Sequence, residues 1–244
     1  MKDWSPIEKD LYEGILTVIE DNDEKANVAY LSKRFSISRY WARNLLKMME
    51  EKGDAYRPGI LRSLVRHRYA AWCAGRASST RKCPFTVETA SELIESSIGL
   101  KYFSKGWHVP LKVIDFDATH RSFREKLVNK AKQKGLKNFT HGVAAKLINI
   151  YLKTLHVVPM LGMYERLTDA ERRKLGNFHP PIDSVLLEEL VRSDAGGKKS
   201  IWRKYRDIRW SNLKSNEYEN LISEMREVTK GQLWKIEAYW QGHR

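Results

Sequence analysis

The chain has 244 residues, of which 42% are hydrophobic and 30% charged, with a formal net charge of +14 and a pI near 9.7. This composition reads as globular rather than disordered, no run approaches the ~18 apolar residues needed to cross a membrane, and the charge suits either a polyanionic partner, most commonly nucleic acid, or simply a soluble basic protein. Two cysteines, Cys73 and Cys83, make neither a disulfide framework nor a zinc site, and Met1-Lys2-Asp3-Trp4 opens no apolar signal core, so a reducing, cytoplasmic setting is expected.

The first 58 residues carry 10 Lys+Arg against 11 Asp+Glu, net −1; residues 59–244 carry 34 against 19, net +15. A domain boundary is expected near residue 58, at Arg57-Pro58-Gly59, with the main polyanion surface beyond it. Spacings of three and four dominate the apolar pattern, so the fold class expected is mainly α.

In chain order, Leu11, Ile15, Val18 and Ile19 outline one amphipathic helix. Ala29 to Phe35 forms another, Ser36-Ile37-Ser38 a tight turn, and Arg39 to Glu51 a third helix with Ser38 as N-cap. Leu45, Met48 and Met49 are expected inward, and Lys33, Arg34, Arg39, Arg43 and Lys47 outward. The stretch resembles a winged-helix or helix-turn-helix module, which implies that Arg39 and Arg43 meet DNA; solvated charges on a small bundle are the plainer alternative.

Beyond the boundary, Leu61 to Arg81 is rich in arginine and alanine, with Arg62, Arg66, Arg68, Arg76 and Arg81. Phe85 to Ile98 predicts a helix started by Thr86, Lys101 to Asp117 a looser stretch, and His120 to Lys134 a basic helix. In that helix His120, Arg121 and Arg124 could hold phosphates. Ser193 to Ser200 is expected to be a flexible polar loop.

The chemically informative segment is His141-Gly142-Val143-Ala144-Ala145-Lys146. A turn at His141-Gly142 opens a helix whose first turn or so carries Lys146, and the unpaired N–H groups of such a start can dock a phosphate. Asp183 follows 37 positions later in His179-Pro180-Pro181-Ile182-Asp183, extended by its prolines and placed just before a helical run. A lysine near a helix start is commonly a solvated surface group, and an aspartate there commonly an N-cap. Together, in a strongly basic domain, they suggest an amine and a carboxylate working as a pair.

Gly142-Val143-Ala144-Ala145-Lys146 resembles the hairpin of helix-hairpin-helix DNA glycosylases, Gly-Val-Gly-x-Lys, and Pro181-Ile182-Asp183 resembles their Val-Pro-Val-Asp segment. Order and residue types are similar to the lysine-bearing branch, which includes 8-oxoguanine glycosylases, and the spacing, longer than in many members, resembles the archaeal type of that branch. The sequence departs from that pattern at Ala144, where the hairpin has its second glycine, and at His141, where proline or a small residue is frequent. No cysteine quartet follows, so no iron–sulfur cluster is expected, nor any metal or other cofactor.

The resemblance implies a helix-hairpin-helix glycosylase domain over residues 59–244, acting as a monomer on double-stranded DNA with a flipped-out modified base. Lys146 would attack the sugar with Asp183 assisting, and the Schiff base would permit β-elimination at the abasic site (lyase activity). His141, Gly142, Val143 and Ala144 would contact DNA. Lys153 is a competing nucleophile. In the resembling family the last helix helps line the base pocket, so Trp234 and Trp240, in a tail that also holds Trp202, Tyr205, Trp210, Tyr218 and Tyr239, are candidates to stack on the base; closing the core is their plainer use. The substrate would be 8-oxoguanine-type damage, hence repair, or a hypermodified phage base such as glucosylated hydroxymethylcytosine, hence antiviral defence. A non-catalytic DNA-binding regulator is the alternative; a nuclease lacks a clustered Asp/Glu/His pattern in the sequence.

Overall fold

A computed structural model describes residues 14–15, 28–40, 42–44, 46, 58–97 and 113–242, with side chains from residue 65 onward in the helix that begins at Pro58. Among the described residues the protein is mainly helical and forms no strand beyond an isolated bridge between Thr80 and Cys83. The chain divides into two compact units, Met1–Val65 and Arg66–Arg244. That division falls inside helix α2, Pro58–Ser78, and not at the expected turn at 58, because a proline suits the first turn of a helix, where its missing N–H costs nothing.

In the first unit α1, Val28–Arg34, buries Leu31 and ends in a turn where Ser36 takes φ 54°. The Ser32 hydroxyl donates to the Ile37 carbonyl at 2.6 Å and closes the turn. Helical residues resume at Arg39, with Ala42 and Leu46 buried and Arg39, Tyr40 and Arg43 exposed. The expected positions Leu11, Val18, Ile19, Leu45, Lys47, Met48 and Met49 lie outside the described residues.

The second unit continues with α3 (Val87–Ser96), α4 (Phe116–Gln133) and α5 (His141–Leu152). Thr86 and Asp115 cap α3 and α4, accepting from the backbone N–H of Thr89 and Ala118. The basic helix therefore starts at Phe116, ahead of the expected His120, because Asp115 satisfies its first orphan donors. A π-helical turn, Lys153–Val157, follows α5 directly and leads into α6, Val158–Leu161. The chain ends in α7 (Asp169–Gly176), α8 (Ser184–Arg192), α9 (Lys199–Ile208), α10 (Ser215–Val228) and a final 3₁₀ segment, Leu233–Tyr239. Ser193–Ser200 is an ordered turn, not a flexible loop. Asp194 accepts from the Lys199 N–H, the Trp202 indole donates to the Ala195 carbonyl, and Lys198 pairs with Glu224 and Glu227.

Two hydrophobic clusters share α5. Its Val143, Ala144, Leu147, Ile148 and Tyr151 join a cluster with α2, α3 and α4; its Ala145 joins a second cluster with Leu186, Leu190, Trp202, Leu221 and Ile236. A helix apolar on all sides buries on all sides. Within it, the polar side chains of Lys146 and Asn149 are buried, and His141 at its start is half-buried.

Candidate active site

The start of α5 is covered by its own protein. Thr140 caps it, accepting from the Val143 N–H at 3.2 Å and donating to the Ser211 carbonyl at 2.8 Å, while the Gly142 N–H donates to the Leu213 carbonyl at 3.1 Å. A Cβ on Gly142 would stand 1.9 Å from the Trp210 carbonyl oxygen, so only glycine fits beneath the Trp210–Asn212 turn. Gly142→Ala is expected to cost about 3 kcal/mol or more, since it overpacks against backbone that cannot rotate away. The midpoint of urea unfolding measures this, and an unchanged midpoint would refute the close approach.

The same geometry corrects the expected phosphate contacts. Gly142, Val143 and Ala144 are buried, and their helix start is occupied by residues 210–213, so they present no surface to DNA. His141 is half-buried beside them. Lys146 is the sixth residue of α5, at the start of its second turn, because Thr140 caps the helix and His141 is its first residue.

There Lys146 is 8% exposed and its Nζ lies 3.6 Å from Asp183 Oδ2, an ion pair longer than a hydrogen bond. Burial lowers the lysine pKa, and the Asp183 carboxylate opposes that shift. The Trp210 ring lies 4.4 Å from the ammonium and favours its charged form. Asp183 is the N-cap of α8: Oδ1 accepts from the Leu186 N–H at 2.9 Å, and Oδ2 accepts from the Trp240 indole at 3.2 Å. The structural and the chemical expectation for Asp183 thus coincide in one carboxylate, with one oxygen for the helix and the other for the lysine.

The pair faces a cleft of about 310 Å³ in the second unit. Ala77, Ile150, Val158 and Pro181 supply apolar wall, and Lys153, Glu237 and Trp240 share the lining with Lys146 and Asp183. Lys153 pairs with Glu237. Burial pushes the Glu237 carboxyl up, Lys153 opposes this, and the Asp183 charge adds to it. The sequence did not single out Glu237, and it marked Trp210 only as one of the tail aromatics. Both stand far along the chain from Lys146, and nothing in their local patterns separates them from other tail residues.

Trp240 is at the cleft as expected. Trp234 is not among its lining residues: its ring packs edge-on against Tyr164 at 5.8 Å and its indole donates to Gln232. His120, Arg121 and Arg124 also differ from expectation. Arg124 is 1% exposed, lies over the Tyr218 ring and pairs with Glu219; Arg121 engages the same carboxylate through two nitrogens. His120 is buried against Asn149. Arg124 and His120 are inward because α4 is amphipathic and that face meets α5 and α10.

A buried polar network fixes where Asp183 falls. Asn149, one turn along α5 from Lys146, donates to the Pro180 carbonyl at 2.8 Å and to the Tyr218 hydroxyl at 2.9 Å, and its own carbonyl accepts from His120. The Tyr218 hydroxyl donates to His179 Nδ1, and His179 Nε2 donates to Asp117, which also pairs with Arg226. Each donor in this chain finds an acceptor when His179 is neutral. The Pro180-Pro181 run is thereby tied to the helix that carries the lysine.

Burial lowers the pKa of both His120 and His179. The unfolded chain then binds protons that the folded one does not as pH falls below about 6.5, so stability present at neutral pH is lost on acidification. Each histidine can contribute at most about 1.4 kcal/mol per pH unit to this loss, and the slope steepens as pH falls below ~6.5. Denaturant titrations at stepped pH measure it, and stability that rises toward pH 5 would contradict neutral histidines.

Comparisons with protein-family models, with curated proteins and with solved structures find no match to this chain.

Proposed function

We propose that this protein is a DNA glycosylase that removes a modified base through Lys146 as nucleophile and Asp183 as its electrostatic partner. The carrying observation is the buried amine 3.6 Å from a helix-capping carboxylate at the wall of a cleft. Further support comes from the net charge of +14, and from α4 and α5, two packed helices joined by a turn at residues 134–140, which resemble a helix-hairpin-helix element.

The chemistry follows from these groups. Breaking the N-glycosidic bond develops positive charge on the sugar, which the Asp183 carboxylate stabilises. Lys146, with a pKa lowered by burial, attacks C1′ in its neutral form as the base departs with the bonding electron pair; the proton shed by the attacking amine neutralises the departing base, and opening of the sugar ring gives the Schiff base. The cleft takes the extruded nucleotide, with Trp240 as a stacking surface and the Lys153–Glu237 pair as donor and acceptor for the base edge. Phosphate contacts fall to exposed side chains of the turn, such as Lys137, in place of the covered helix start.

Incubation with DNA carrying oxidised or phage-modified bases in the presence of borohydride is expected to trap a covalent protein–DNA adduct. Mass spectrometry of the released bases identifies the substrate. Sequence-specific DNA binding with neither adduct nor free base would reject this function in favour of a regulator.

A further inference from the structure

Helix α2 carries four arginines, Arg62, Arg66, Arg68 and Arg76, and no acidic residue in 21 positions. Its inner face, with Ala70, Ala71 and Ala74, is buried in the first cluster. Its outer face is aromatic and basic. Tyr69 and Trp72 are 60% and 51% exposed, and their rings stack on one another at 6.2 Å with 19° between planes. Arg68 and Arg76, both exposed, flank them. Tyr and Trp carry most of their value in burial, so a stacked exposed pair is a surface awaiting a planar partner.

We infer that the Tyr69–Trp72 stack, with Arg68 and Arg76, is a docking platform for unpaired nucleotides of a DNA strand. Every base offers a π-face to a ring, and the flanking guanidinium groups match the phosphates between successive bases. The charge decides the partner: an all-basic helix in a chain of net charge +14 attracts a polyanion and repels a basic one. Position supports it too. Ala77, five residues on from Trp72 and about 7.5 Å further along the helix axis, lines the cleft, so a strand delivering one nucleotide there would pass its neighbour over Trp72. This last step rests on the glycosylase function proposed above; the platform itself does not.

The test uses the full chain with Lys146→Ala, which removes turnover, and unmodified oligonucleotides, single-stranded or fully paired. Quenching of tryptophan emission and fluorescence anisotropy report binding. Trp72→Ala and Tyr69→Ala are expected each to weaken single-strand binding on the order of tenfold while paired duplex binding changes little. Arg68→Gln and Arg76→Gln are expected each to reduce the slope of log affinity against log salt by roughly 0.7. All four side chains face solvent, so folding, checked by circular dichroism, is expected to persist. Unchanged single-strand affinity, an equal loss on duplex, or a requirement for Trp72 in binding to anionic vesicles but not to DNA overturns the platform. Binding through the stack by a protein whose native form releases no base overturns the glycosylase assignment alone.

Discussion

Lys146→Ala is expected to abolish the borohydride-trapped adduct and base release together. In the proposed mechanism the amine is the group that bonds to C1′, and alanine offers nothing in its place. Where nucleophile and partner act as a unit, losing the nucleophile commonly removes most of the rate enhancement, on the order of 10⁴-fold or more. The protein should still fold: Asp183 keeps its hydrogen bonds from the Leu186 N–H and the Trp240 indole after the lysine is gone. Lys153→Ala provides the contrast. Lys153 shares the cleft but is held in a pair with Glu237, so its loss is expected to leave the adduct in place. An adduct that persists in Lys146→Ala and vanishes in Lys153→Ala would transfer the nucleophile to Lys153.

Asp183→Asn is expected to lower the rate of base release by about 10²–10³-fold with little change in stability. Asparagine caps a helix as well as aspartate, so the bond from the Leu186 N–H survives, and what is lost is the negative charge beside the sugar. Asparagine also turns one position near the Trp240 indole from acceptor to donor, so a local shift of Trp240 is expected in its fluorescence. The two steps of the reaction should separate. Trapping on a preformed abasic site needs only the amine, and removing the opposing carboxylate lowers the Lys146 pKa further, so this variant should still form an adduct there. Single-turnover kinetics on intact and abasic DNA distinguish these outcomes. Equal losses on both substrates would mean that Asp183 holds the lysine in place and does not stabilise the departing base.

Several features were legible in the sequence because they are local. Thr86 ahead of an apolar run marks a helix start, and the proline pair before Ile182-Asp183 leaves the chain extended until a carboxylate can cap α8. Spacings of three and four gave the helical class. The charge excess beyond residue 58 marked the basic part of the chain, and the all-basic character of α2 is visible without coordinates.

What local pattern cannot convey is which neighbour lies above a given turn. Gly142 reads as an open phosphate dock, yet the Trp210 carbonyl fills the space over it. Arg124 reads as a surface cation, yet it lies beneath Tyr218 and Glu219. Trp234 and Trp240 are equivalent in composition, and only the fold sends one to Tyr164 and the other to Asp183. The sequence by itself determined which residues carry usable chemistry, an amine in an apolar helix and a carboxylate at a helix start, because residue type and backbone preference are short-range properties. The tertiary structure decided that these two meet at a cleft, with Lys153, Glu237 and Trp240 around them. Burial, and the pKa shifts and hydrogen bonds that come with it, depends on atoms brought together from distant parts of the chain.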